Sequence, residues 1–223
     1  MLGRHGRGLT KALFTRPALA MAKVGITPNM LTVAGTVLSV TVAVVTLSQG
    51  HFVAGPLLMI VVLLGDSFDG ILARATGTGS QYGAFLDSTM DRLADGAIFG
   101  SLAVWAALHL QPGAVRTWTV VAAVASVTLA ATVPYARARA ESIGATATVG
   151  IAERTDRLVV TGVGALAVGL GAPVWVLTVA LGVVAVGSLI TVIQRVVTVR
   201  DQTLPATAGQ DGLQQTQPGQ EHP

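Results

Sequence analysis

The 223-residue chain contains no cysteine. That removes disulfide scaffolds, thiolate metal sites and cysteine nucleophiles together. Charge is scarce as well: 11% of residues are Asp, Glu, Lys or Arg, against about 25% in an average soluble domain. So few charges cannot cover a globular surface. With a mean hydropathy of +0.66, much of the surface is expected to face lipid. Aromatic residues make up 4% of the chain, too few for the stacking platforms of a nucleic-acid binder, so no nucleic-acid partner is expected. The net charge of +3 suits anionic lipid headgroups instead.

What the chain has in abundance is uncharged length. Runs without Asp, Glu, Lys or Arg extend from Val24 to Gly65, Gly96 to Val115, Thr117 to Ala136 and Leu158 to Gln194. A bilayer core of ~30 Å needs about 20 helical residues. The first and last runs hold two spans each, broken near Ser48-Gln49-Gly50-His51 and Gly171-Ala172-Pro173. An all-α integral membrane protein with six transmembrane helices over residues 24–200 is therefore expected. Thirteen of the 14 basic residues, all but Arg116, fall on one side of such a bundle. By the positive-inside rule both termini are then cytoplasmic, at the cell membrane. Residues 1–23 mix Leu, Phe and Ala with spaced Arg and Lys, and read as an amphipathic interfacial helix. Residues 201–223, rich in Gln, Gly, Thr and Pro, read as a disordered tail. Trp105, Trp118 and Trp175 stand near span ends, where interface belts occur.

Five carboxylates, Asp66, Asp69, Asp87, Asp91 and Asp95, fall inside or against apolar helix. Each Asp at a helix centre costs roughly 2.5–3.5 kcal/mol to insert, and ionisable groups at membrane depth are functional candidates by default. At about 100° per residue, Asp66 and Asp69 share a helix face with Gly70 and Ala73, and Asp87 and Asp91 share one with Gly83. Two such helices face to face would gather four carboxylates around a space kept open by small side chains. Four like charges do not stay ionised together without cations. All-oxygen donors favour hard divalent ions, Mg²⁺ first, with Mn²⁺ or Ca²⁺ as alternatives. Paired ions on shared carboxylates are a device of phosphoryl chemistry.

Written out, the segment is Asp66-x2-Asp69-Gly70-x2-Ala73-Arg74-x8-Gly83-x3-Asp87-x3-Asp91. It resembles, position for position, the signature of the CDP-alcohol phosphotransferases. The resemblance implies transfer of a phosphatidyl group from a CDP-linked lipid to an alcohol, with release of CMP. It further implies that Asp66, Asp69 and Asp87 bind one Mg²⁺ ion and Asp66, Asp87 and Asp91 a second, with Mn²⁺ the alternative. Asp91 would also be the general base that takes the acceptor proton. Asp95 lies outside the motif and is expected to be structural. Gly70, Arg74 and Ser80 are implied contacts of the CDP-lipid. So is the element Asn29-Met30-Leu31-Thr32 that opens the first span, which the bare sequence reads as a helix start with Pro28 in its first turn. A homodimer is implied by the resemblance alone.

The signature leaves the acceptor open. Arg137, Arg154 and Arg195 come from three expected helix ends at one membrane face, and their convergence would build a pocket for a phosphate-bearing acceptor. Arg139, Arg157 and Arg200 are expected only to anchor helix ends. Tyr135-Ala136-Arg137-Ala138-Arg139-Ala140-Glu141, Ile151-Ala152-Glu153-Arg154 and Gln194-Arg195 are similar to segments of the actinobacterial phosphatidylinositol phosphate synthases. That subfamily joins CDP-diacylglycerol to an inositol monophosphate. Arg137 stands where a Lys is usual, and Pro134 where a Ser is expected. Glycerol 3-phosphate is the competing acceptor. A small cation transporter is the alternative of another class, disfavoured because no repeated halves are visible.

Overall fold

The structure, a computed structural model, describes residues 22–204, the side chains of 66–68 excepted. The expected interfacial helix, apart from its last two residues, and the tail beyond Leu204 lie outside the described residues. Among the described residues are six long helices: α1 (Pro28–Thr46), α2 (Ala54–Thr76), α3 (Gln81–His109), α4 (Ala114–Ser142), α5 (Arg154–Gly169) and α6 (Trp175–Thr203). The α1–α2 break is a 3₁₀ turn, Leu47–Gln49, closed by Gly50 in the left-handed region at φ +78°. Four of the helices, α1, α2, α4 and α6, are long and apolar enough to cross a bilayer.

The other two depart from that standard for visible reasons. α3 carries Asp87, Asp91, Arg92 and Asp95 in its first half. At about 1.5 Å per residue its 29 residues span about 43 Å, longer than the ~30 Å hydrocarbon core. Its charged end therefore has room to stand at the headgroup level. α5 has 16 residues, about 24 Å, which is short of the full core. α6 continues three residues past the expected boundary at 200, because Gln202 clasps the α4–α5 loop: its Oε1 accepts from Thr146 N at 2.9 Å and its Nε2 donates to Thr146 O at 2.7 Å.

The bundle is held by small residues that let backbones approach. Ala43 on α1, Ala106 on α3, and Ala123 and Ser126 on α4 are fully buried. α4 packs closely on α6, where Thr119 and Thr178 hydroxyls meet at 2.6 Å and Ser126 Oγ donates to Leu181 O at 3.3 Å. Most other Ser and Thr hydroxyls return to the carbonyl four residues back, as Thr36 does to Thr32 O at 3.0 Å, which satisfies them without water. Large apolar side chains such as Val37, Ile60, Val121 and Val186 are left exposed on the outside, where lipid is the fitting solvent. Trp118 and Trp175 share that exposure, but Trp105 does not. It is buried edge-on against Phe52, with ring centroids 4.5 Å apart, and its indole lies where a Gly50 side chain would be.

α2 and α5 touch only lightly. The far end of α5 closes on the α1–α2 turn, where a methyl group on Gly169 would sit 2.6 Å from the Phe52 backbone. Gly169→Ala should therefore destabilise the protein by about 1–3 kcal/mol through overpacking. Gly182→Ala, with open space around it, should be neutral or stabilising by up to about 1 kcal/mol. Thermal unfolding of the two variants in detergent checks this, and equal Tm values would contradict it.

Candidate active site

Two capped helix starts frame the site. Thr27 accepts a hydrogen bond from Met30 N at 3.3 Å, and Pro28 occupies the first turn of α1. Ser80 caps α3 by accepting from Gly83 N at 3.0 Å. The two starts lie together: a methyl group on Gly83 would be 3.2 Å from both Asn29 Oδ1 and Ser80 Oγ. Asn29 and Ser80 thus flank a backbone that only glycine leaves open. Met30, exposed, faces a groove it shares with Asn29 and Tyr82, while Leu31 is half-buried. At the other end of the α2–α3 turn, Arg74 folds back over Gly70, its Nη1 3.3 Å from where a side chain would begin.

The carboxylates sit between these elements. Asp66 stands on α2 three residues before Asp69, with its side chain outside the described set. Asp69 accepts from the buried Thr32 hydroxyl at 2.6 Å, and its other oxygen accepts from Gly70 N. Thr32, buried, thus turns its hydroxyl onto Asp69 and orients it. From α3, Asp87 and Asp91 come close enough for Asp69 to repel Asp87 and for Asp87 to repel Asp91. Asp91 is held by Arg154 Nη1 at 2.7 Å, with Arg92 more distant at 3.6 Å.

Asp69, Asp87, Asp91 and Arg154 line the polar part of one cavity of about 580 Å³. The rest is apolar and runs between α2, α3 and α5, past Met59, Leu63, Ile98, Leu102, Leu158 and Leu166. The cavity exists because α2 and α5 hardly pack. Thr161, 3% exposed, lines it, and its hydroxyl makes no hydrogen bond among the described residues.

The three arginines expected to converge are used differently. Arg154 reaches the carboxylates as above. Arg195 is buried and spans the α4–α5 connection, giving Nε to Val149 O at 3.0 Å and Nη1 to Val133 O. Arg137 is exposed and paired with Glu141 at 2.9 Å, one turn along its own helix. It lies close enough to Arg195 to repel it, so the two share a neighbourhood without sharing contacts. Pro134 is inside α4, where its missing N–H withdraws the helical donor from the Ala130 carbonyl. Arg157 corrects the expectation of an anchoring residue. It is 2% exposed and bound to Asp95 at 3.2 Å, while Arg154 Nε holds the other Asp95 oxygen at 3.1 Å.

The sequence pattern of the CDP-alcohol phosphatidyltransferases matches residues 25–155, which include every carboxylate of the cavity. The chain belongs to this family. It is 39% identical to the phosphatidylinositol phosphate synthase of Mycobacteroides abscessus, over 94% of this chain and 96% of that one. With the enzyme of the same name from Streptomyces avermitilis it shares 40% identity, over 93% and 86%. Its fold is that of the crystal structure of Mycobacterium tuberculosis phosphatidylinositol phosphate synthase with CDP-DAG bound, with a TM-score of 0.80 and 34% identity over 85% of this chain and 94% of that one. The same enzyme has been solved in complex with manganese and citrate, with a TM-score of 0.78 and 34% identity over 83% of this chain and 88% of that one.

In this family member the donor set fits a hard divalent cation. The acidic side chains are oxygen donors on two helices at one cavity, and the Thr32 hydroxyl donates to one of them, Asp69. Among the described residues no three carboxylates are gathered tightly enough to hold an ion. The Asp66 side chain is not among them, and Arg154 serves Asp91 as counter-ion. The pairing of Asp95 with two arginines was readable in principle: Asp95 continues the four-residue spacing of Asp87 and Asp91, and Arg157 follows Arg154 by three. The apolar lining from α2 and α5 carried no comparable signal.

If Thr32 orients a metal ligand, Thr32→Val should weaken Mn²⁺ binding to the purified protein about tenfold, and Thr32→Ser should restore it. Electron paramagnetic resonance of free Mn²⁺ during titration measures both. Unchanged affinity in Thr32→Val would contradict the assignment.

Proposed function

We propose that the protein is a phosphatidylinositol phosphate synthase: it transfers the phosphatidyl group of CDP-diacylglycerol to a hydroxyl of an inositol monophosphate, 1D-myo-inositol 3-phosphate, and releases CMP. The observation that carries this reading is the pairing of carboxylates from two helices with Arg154 at the polar end of an otherwise apolar cavity. The polar end suits a pyrophosphate and the apolar remainder suits a lipid. The names of the relatives at 39% and 40% identity support the acceptor.

Asp66, Asp69, Asp87 and Asp91 hold Mg²⁺, two ions by the family's pattern, with Mn²⁺ the alternative. The bound cation neutralises charge on the pyrophosphate and on the departing CMP phosphate. Asn29, Ser80 and Gly83 leave an open backbone at which the nucleotide docks. Arg74, lying over Gly70, clamps a phosphate. Asp91 accepts the proton of the acceptor hydroxyl as that oxygen attacks the phosphorus of the lipid-linked phosphate. Before the acceptor arrives, Asp91 is paired with Arg154. A phosphate-bearing acceptor offers Arg154 a dianion in its place, and so frees Asp91 as it docks. A free polyol or serine has no such lever. Arg137 and Arg195 add positive potential nearby. The site and both termini face the cytoplasm at the cell membrane, and two copies form a dimer.

CMP release by protein purified in detergent, with CDP-diacylglycerol and Mg²⁺, tests the reading against inositol phosphate, inositol, glycerol 3-phosphate and serine. Turnover with inositol phosphate alone is expected. Turnover with glycerol 3-phosphate alone would keep the chemistry and overturn the acceptor. Asp91→Asn should lower kcat by about 10²–10⁴-fold, and continued CMP release at the parent rate would sink the base assignment.

A further inference from the structure

Beyond the carboxylates that line the cavity, α3 carries one that does not. Asp95 stands one turn past Asp91, is 2% exposed and has no part in the cavity wall. It nevertheless binds two cations at once. Its Oδ1 accepts from Arg154 Nε at 3.1 Å, and its Oδ2 accepts from Arg157 Nη2 at 3.2 Å. Arg157 is fixed in turn by Nη1, which donates to the Ala152 carbonyl at 3.3 Å. Arg154 is thus gripped along its Nε edge while Nη1 reaches Asp91. α3 and α5 come together here through long side chains rather than close backbone packing.

Stability alone is a weak reason for such an arrangement. Replacing a buried ion pair by apolar side chains is often neutral or stabilising. An arginine side chain, by contrast, has several torsions, and its planar fork recognises a phosphate only when its orientation is set. We propose that Asp95, steadied by Arg157, is a positioning residue for the acceptor: it locks the Nε edge of Arg154, so that the Nη groups can pass from Asp91 to the acceptor's phosphate without the side chain swinging away. This inference rests on the function proposed above.

The Asp95→Leu/Arg157→Met variant removes both buried charges together, and its folding is checked by gel filtration and thermal unfolding in detergent. CMP release then gives the KM for each substrate separately. The KM for the phosphorylated acceptor should rise about tenfold or more, with that for CDP-diacylglycerol within about twofold of the parent's. An unchanged acceptor KM in the folded variant, or equal rises in both, overturns the proposal. If that variant does not fold, Asp95→Asn keeps the shape and loses one acceptor oxygen. The same split, smaller in size, is expected, and a loss in kcat with both KM values unchanged overturns it. Should the parent use glycerol 3-phosphate in place of inositol phosphate, the functional reading fails, while the KM split with that acceptor still decides the role of Asp95. A readout without turnover is the thermal shift produced by inorganic phosphate. It should raise the Tm of the parent and leave that of the double variant unmoved; equal shifts overturn the inference.

Discussion

A helix bearing Asp87, Asp91, Arg92 and Asp95 has to be accommodated in a bundle that is otherwise almost free of charge. Removing one partner of a buried ion pair typically costs about 3–5 kcal/mol, so unpaired carboxylates on α3 would weigh heavily against a fold with a modest net stability. The solution comes from α5, whose first turn sends Arg154 and Arg157 across to Asp91 and Asp95. The remaining features of the site follow from that bridge. It brings α5 to α3 without close backbone contact, and α2 and α5 then stay apart, which opens the cavity.

The bridge also divides the carboxylates by task. Asp95 is out of reach of the cavity and fully engaged by arginine, so it is a permanent counter-ion. Asp69 and Asp87 line the cavity and form no ion pair with an arginine among the described residues. Asp91 lies between the two sets and belongs to both. In the proposed reaction, that intermediate position lets Asp91 be held by Arg154 in one state and accept a proton in another. The elements of α6 serve a separate purpose. Thr191, Arg195 and Gln202 bind the α4–α5 connection at three points, and thereby fix where the first turn of α5 begins.

Much of this was legible in the sequence because charge is so rare in it. The breaks at Gly50 and near Pro173, the Asp spacing and the small residues beside it all stood out against an apolar background, and each appears where expected. The role of Arg157 was missed: its three-residue step from Arg154 and the Asp87, Asp91, Asp95 spacing carried a hint of the pairing, but a basic residue near a helix end reads as an anchor unless its tertiary partner is known. The partners of Arg195 were not legible either: its side chain ends on two backbone carbonyls, and carbonyls leave no mark on a sequence. Trp105 was misplaced because burial against Phe52 depends on the α1–α2 turn folding back over α3. The apolar cavity was invisible, because a lining Leu and a lipid-facing Leu are identical in one dimension.

The division of the carboxylates is the claim on which the account turns. Mn²⁺ titration of the purified protein, followed by the loss of the free-ion resonance signal, tests it directly when run on Asp69→Asn, Asp87→Asn and the Asp95→Leu/Arg157→Met variant side by side. The account predicts that the first two lose most of their metal affinity and that the third, once shown to be folded, retains it. Loss of affinity in the third with retention in Asp87→Asn would contradict it.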